Sequence, residues 1–155
     1  MLSIKTWRWP NGNLALVEEV TKLITDKNVE IFVGCDSHMI TGNWVFATVI
    51  CAYNKGRGGT FLYSQEHVLK SSFNNLQQRL MEETMRSVNI ASEIKQEFGI
   101  EPEVHLDLST EKFKSSRYTK DLTSMVCAYG FKYQVKPNSW VSSALADKSA
   151  KISLL

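Results

Sequence analysis

Between residues 30 and 68 the chain carries three extended apolar stretches separated by two glycine turns, and this spacing leaves few architectures open. Residues 30–35 form a nearly continuous apolar run of strand length, the pattern of a strand covered on both faces. Thr41-Gly42-Asn43 supplies a hairpin turn, and residues 44–53 are rich in β-branched and aromatic side chains. Asn54-Lys55-Gly56-Arg57-Gly58-Gly59 is a second, looser turn before residues 60–68. Three strands joined so closely make an antiparallel meander.

The rest of the chain alternates. Asn74 or Asn75 caps a long helix in which Leu76, Leu80, Ser87, Ala91, Ile94 and Phe98 form one stripe, widened by Met81, Met85 and Val88. Gly99 ends it. A short buried strand at 104–108 precedes a helix starting at Ser115 or Ser116, with Tyr118, Leu122, Met125, Val126 and Tyr129 inward. Residues 131–135 read as a fifth strand and 140–151 as a last helix. Upstream, an aromatic segment (Trp7-Arg8-Trp9) and a turn lead to a first helix capped by Asn13, with Leu14, Leu16, Val17, Val20, Leu23 and Ile24 at helical spacing. The order predicts an α/β fold: a five-stranded mixed sheet with helices on both faces and an extra N-terminal helix. A length of 155 residues fits one domain, with residues 1–28 as N-terminal segment and helix and 29–151 as core.

Composition narrows the class only modestly. A formal charge of +2 is compatible with a nucleic-acid partner without arguing for one. Cys35, Cys51 and Cys127 are widely spaced in apolar contexts, which disfavours a disulfide framework or zinc knuckle and suggests small buried hydrophobes. No apolar stretch approaches membrane-spanning length, so a soluble cytoplasmic protein with no membrane partner is expected.

The chemistry rests on four acids. Asp36 follows the first apolar run, where side chains of a mixed sheet project into a ligand-binding crevice; the competing reading is a turn aspartate capping an amide. Glu83 falls on the Leu80-Ser87 stripe, whereas its neighbour Glu82 is rotated by about 100° from it. A carboxylate inside an apolar stripe is costly unless paired or metal-bound. Asp107 shares a strand face with His105, opposite Leu106; the alternative is a pairing with Arg117 or a lysine. Asp147 lies in the last helix beside small Ala144 and Ala146, a position equally suited to a solvated surface.

Two-metal phosphodiester hydrolysis needs carboxylates that bridge cations roughly 3.5–4 Å apart, and oxygen-only donors select Mg²⁺ or Mn²⁺. His38, His67 and His105 have no metal-type spacing. Lys112, Lys114, Arg117 and Lys120 cluster after Asp107, and Lys132, Lys136, Lys148 and Lys151 come later. Together with Ser37 and His38, the cations Lys114, Arg117, Lys136 and Lys148 are the candidate phosphate contacts, although a solvated lysine face would look the same. Trp140 reads better as a core tryptophan than as a stacking platform.

Val33-Gly34-Cys35-Asp36-Ser37-His38, Glu83-Thr84, His105-Leu106-Asp107-Leu108 and Val135-Lys136-Pro137 running on to Ser142-Ser143-Ala144-Leu145-Ala146-Asp147 resemble the ribonuclease-H-like YkuK-type family, over about residues 31–151. The resemblance implies that family's five-stranded sheet and an Asp-Glu-Asp-Asp set on Asp36, Glu83, Asp107 and Asp147 holding two Mg²⁺ or Mn²⁺ ions. It implies a nuclease acting on RNA–DNA hybrid, structured or single-stranded nucleic acid, leaving a 5′-phosphate and a 3′-hydroxyl. The alternative is a binding or assembly module that keeps the fold without turnover. Asp36-Ser37-His38 lacks the second acid of proofreading-type exonucleases, and residues 137–146 lack the histidine common in ribonuclease H itself.

Overall fold

The computed structural model describes residues 2, 5–109 and 116–152. Strands β1 (Glu30–Ile40), β2 (Asn43–Asn54) and β3 (Gly58–Leu69) form the expected meander, longer than the apolar runs alone suggested. The polar ends of each run stay in the ladder because Thr41 and Gly42 adopt the positive φ that a tight hairpin needs. Strands β4 (Glu103–His105) and β5 (Tyr133–Gln134) are shorter than expected and run parallel to β1. The sheet order is β3-β2-β1-β4-β5.

Helix α2 (Leu76–Phe98) begins where Asn75 accepts a hydrogen bond from Gln78 N and ends at left-handed Gly99. Its buried stripe, with Val88, Ile90, Ala91 and Ile94, packs on the sheet face that carries Val33 and Val104. Met81 is the exception to the stripe, 39% exposed. Helix α3 (Ser116–Ala128) lies beside α2 through Leu122 and Val126. Tyr129 is 50% exposed and Cys127 exposed, Cys127 being rotated by about 100° from Val126, the residue of that turn that meets the core.

The N-terminal helix α1 (Val17–Thr25) starts three residues later than a cap at Asn13 suggests. The backbone before it is used elsewhere: Trp9 N donates to Asn13 O and Ala15 N to Trp7 O. This pins Leu14, Leu16 and Val17 outside, exposed. Arg8 exchanges both backbone hydrogen bonds with Tyr63, so the aromatic segment covers part of the β3 edge.

The opposite face of the sheet is roofed by the C-terminal segment. It opens with a π-helical turn, Val141–Ala146, where an ordinary α-helix was expected, and continues as α4 (Asp147–Ala150). Gly34 of β1 makes this approach possible, since a Cβ there would lie 2.8 Å from Ser142 N. Among the described residues no helix is long and apolar enough to cross a membrane.

Candidate metal centre

β1 and β4 pair in parallel with Gly34 opposite His105, and each strand places an aspartate two residues further on. Asp36 and Asp107 therefore leave the sheet side by side, on the face of Gly34. Asp36 sits inside β1, paired with Ala47, so its backbone is held by β2 and it is not a turn residue capping an amide. β4 has ended by then, and the sheet is open on the other side of Asp36. Through that opening Glu83 arrives from α2, across a gap lined by Cys35, Leu106 and Leu108. One oxygen of each of Asp36, Glu83 and Asp107 lies within 4.8 Å of the other two.

Each acid is held differently. Glu83, 5% exposed, accepts from Ser37 Oγ at 2.9 Å and faces Arg79 Nη1 at 3.5 Å. Burial pushes its carboxyl up to about 8, against the pull of Arg79 and Ser37. Glu82 turns the other way and pairs with Arg86 at 2.8 Å. Asp107 accepts from Ser143 Oγ at 3.1 Å and from Lys136 Nζ at 3.0 Å. The lysine pairing that competed with a metal role thus exists for Asp107 itself.

Asp36, 6% exposed, has no cation within ion-pair distance among the described residues. Burial pushes its carboxyl up to about 9, and the charges of Glu83, Asp107 and Asp147 add to the rise. Asp147 stands outside the three-acid group but within hydrogen-bonding reach of Asp36. Its carboxyl is buried enough to rise, yet the Lys151 ammonium at 3.0 Å and the Asp36 proton hold it below the usual range.

The roof over Asp36 and Asp107 is fixed by polar contacts. Val141 N donates to His105 Nδ1 at 3.3 Å, which leaves Nε2 to donate to Glu103 Oε1 at 3.3 Å. Asp147 N reaches Ser142 O, five residues back, and this wide turn sets where the aspartate emerges. Burial lowers the imidazole of His105 from its ordinary value, against the pull of Glu103, which favours the neutral ring that accepts from Val141 N.

The expected phosphate contacts are dispersed. Ser37 is buried with its hydroxyl on Glu83, so it steadies an acid and does not face a ligand. His38 is exposed on β1, and its charge would reach Asp147. Lys136 stands at the acids. Lys148, Arg117 and Lys120 are exposed, with the Arg117 guanidinium over Tyr118. Lys132, one of the later lysines, lies at the far end of the sheet, beside Glu30 and Glu103 and away from the acids. Lys112 and Lys114 fall outside the described residues. Trp140 is 37% exposed, edge-on to Phe32, Tyr53 and His105, and so is not a core residue.

Sequence reasoning missed Arg79 and Ser143. The signal for Arg79 was present, one helical turn before Glu83. Ser143 carried none, because its place depends on the π-helical turn.

A mixed sheet of this order, with acids gathered on β1 and just past the end of β4, is the ribonuclease-H-like arrangement. A model of the ribonuclease H-like family matches residues 14–151, and the chain belongs to that family. The match takes in α1, which the motifs alone had left out. No curated protein and no solved structure matches the chain significantly.

Proposed function

We propose that the chain is a metal-dependent nuclease that hydrolyses phosphodiester bonds. The observation that carries this reading is Asp36: a buried carboxylate, without a counter-cation among the described residues, facing Glu83 and Asp107 oxygens within 4.8 Å. An uncompensated buried carboxylate is expensive to keep. Three hard oxygen donors so close together suit Mg²⁺ or Mn²⁺, and Asp147 flanks the same position. When bound, two such ions would supply the Lewis acidity that phosphodiester hydrolysis requires.

The chain's own residues do the rest. Ser37 and Ser143 orient Glu83 and Asp107 through hydrogen bonds. Arg79 and Lys136, now on those acids, are placed to meet phosphate oxygens at the rim. Exposed His38 and Lys148 extend the polar rim along β1 and α4.

The test is cleavage of labelled RNA–DNA hybrid, branched DNA and single strands with Mn²⁺, Mg²⁺ or EDTA. Metal-dependent cleavage that disappears in Asp36→Asn and Asp107→Asn supports the reading. One observation favours a non-catalytic nucleic-acid-binding module instead: Arg79 and Lys136 already neutralise two of the three acids. Binding without cleavage under any metal would select that module.

A further inference from the structure

Next to the acids, β1, β2, the segment after β3 and the start of α2 border an open pocket of about 390 Å³. Met39, Trp44, Phe73 and Leu76 give it apolar walls, each left partly open to solvent, and Lys70 and Arg79 give it positive charge. None of its lining residues is acidic. A hydrophobic pocket of this size with a few placed polar groups is at the scale of a small ligand.

Arg79 joins this cavity to the metal centre. Its Cζ lies 4.3 Å from the centre of the Trp44 ring, while its Nη1 is 3.0 Å from Ser37 Oγ and 3.5 Å from Glu83 Oε2. A group seated against Trp44 is thus one side chain away from the carboxylates. The charge changes sign across that side chain, from a cationic aromatic cavity to an acidic centre. A nucleotide has the matching form: a flat π face to lie against aromatic and guanidinium groups, and a phosphate for cations and metal-holding acids.

We infer that this cavity receives one unpaired nucleotide of the strand whose phosphate lies at the acids. The inference rests on the nuclease reading only for that register, and it narrows the substrate. A base can enter such a cavity only after leaving its helical stack, so the site selects single strands, strand ends or unpaired nucleotides over continuous duplex.

The experiment separates binding from cleavage. Fluorescence anisotropy in EDTA is measured with labelled single-stranded RNA and DNA of about a dozen nucleotides, and with the same strands in duplex. Expected is tighter binding of the single strand, weakened about tenfold by Trp44→Ala and by Phe73→Ala and largely kept in Trp44→Phe. An abasic nucleotide, moved along the strand, should cause the same loss at one position, and that loss should not add to Trp44→Ala. Where Trp44→Ala fails to fold by circular dichroism, Phe73→Ala and the abasic scan decide.

Wild-type affinity in folded Trp44→Ala and Phe73→Ala, or an abasic scan with no preferred position, would overturn the inference. Cleavage in Mn²⁺ is read separately. Trp44-dependent binding without cleavage keeps the cavity's role and removes the nuclease. Cleavage indifferent to Trp44 and Phe73 does the reverse, and no binding to any nucleic acid overturns both.

Discussion

Strands β1 and β4 meet acidic residues at both of their ends. At the N-terminal end Glu30 and Glu103, with Glu101, border a cavity of about 360 Å³ that Lys132 shares. Glu101 is ion-paired to Lys95 at 2.9 Å, which holds it below the usual carboxylate range, and Glu103 accepts from His105. At the C-terminal end Asp36 and Glu83 are buried, and their carboxyls are raised to about 9 and about 8. Residue type does not distinguish the two ends. The roof does: α2 and the π-helical turn exclude water at one end, and at the other nothing comparable among the described residues covers Glu30 or Glu101, which are exposed. Carboxyls are raised where desolvation outruns local neutralisation, and such perturbed groups mark candidate sites.

The comparison breaks first at Asp36. Asp36→Asn should lower metal-dependent cleavage on the order of 10³-fold, the scale of losing a group essential to transition-state charge. Mn²⁺ should raise the melting temperature of the parent chain and leave that of Asp36→Asn unchanged, as differential scanning calorimetry would show. Equal Mn²⁺ stabilisation in both would mean that the ion binds elsewhere.

The raised acids also set a pH slope. Unfolded, Asp36 and Glu83 ionise near pH 4; folded and metal-free, they keep protons up to about 9 and about 8. The native state therefore binds more protons than the unfolded state across this window, and its stability falls as pH rises. Between pH 7 and 9, above the range of His105 and the lowered acids Glu66 and Asp147, the loss from the two acids together should be on the order of 4 kcal/mol. Urea titrations in EDTA would measure it. Mn²⁺ or the Asp36→Asn change should flatten the slope, since either removes the proton from Asp36.

The packing that makes the difference is open to test at Gly34. A Cβ there would lie 2.8 Å from Ser142 N, so Gly34→Val should force the π-helical turn off the sheet. The expected cost is about 1–3 kcal/mol of stability. Mn²⁺ stabilisation should fall with it, because the same turn carries Asp147 and Ser143. A variant that is less stable yet keeps full Mn²⁺ stabilisation would show that the roof is dispensable to the acids.

The legible parts of this fold were those fixed locally. Two glycine turns and three apolar runs defined the meander, and Asn75 and Gly99 bounded α2. Glu83 was distinguishable from Glu82 by the apolar stripe around it. The start of α1 was not legible, because residues 7–15 spend their backbone hydrogen bonds on one another and on Tyr63, far away in sequence. The convergence of the acids was legible only through the family resemblance, and not from local pattern. It depends on the parallel register of Gly34 with His105 and on a π-helical turn, both set by tertiary packing. Arg79 and Trp44 became adjacent only once the hairpin and α2 were in place.

The smallest effects discriminate most finely between the two ends. Ser143→Ala removes one hydrogen bond to Asp107 and leaves Lys136 on the same oxygen. The expected loss is about 1 kcal/mol, roughly fivefold in Mn²⁺ affinity, with stability in EDTA nearly unchanged. Glu101→Gln removes an ion pair in full solvent at the other end, where salt screening and side-chain entropy leave little to lose. It should change neither Mn²⁺ affinity nor cleavage. If the two variants behaved alike in Mn²⁺ titrations followed by calorimetry, the hydrogen bond from the π-helical turn would contribute nothing to Asp107. The difference between the ends would then rest on burial of Asp36 and Glu83 alone.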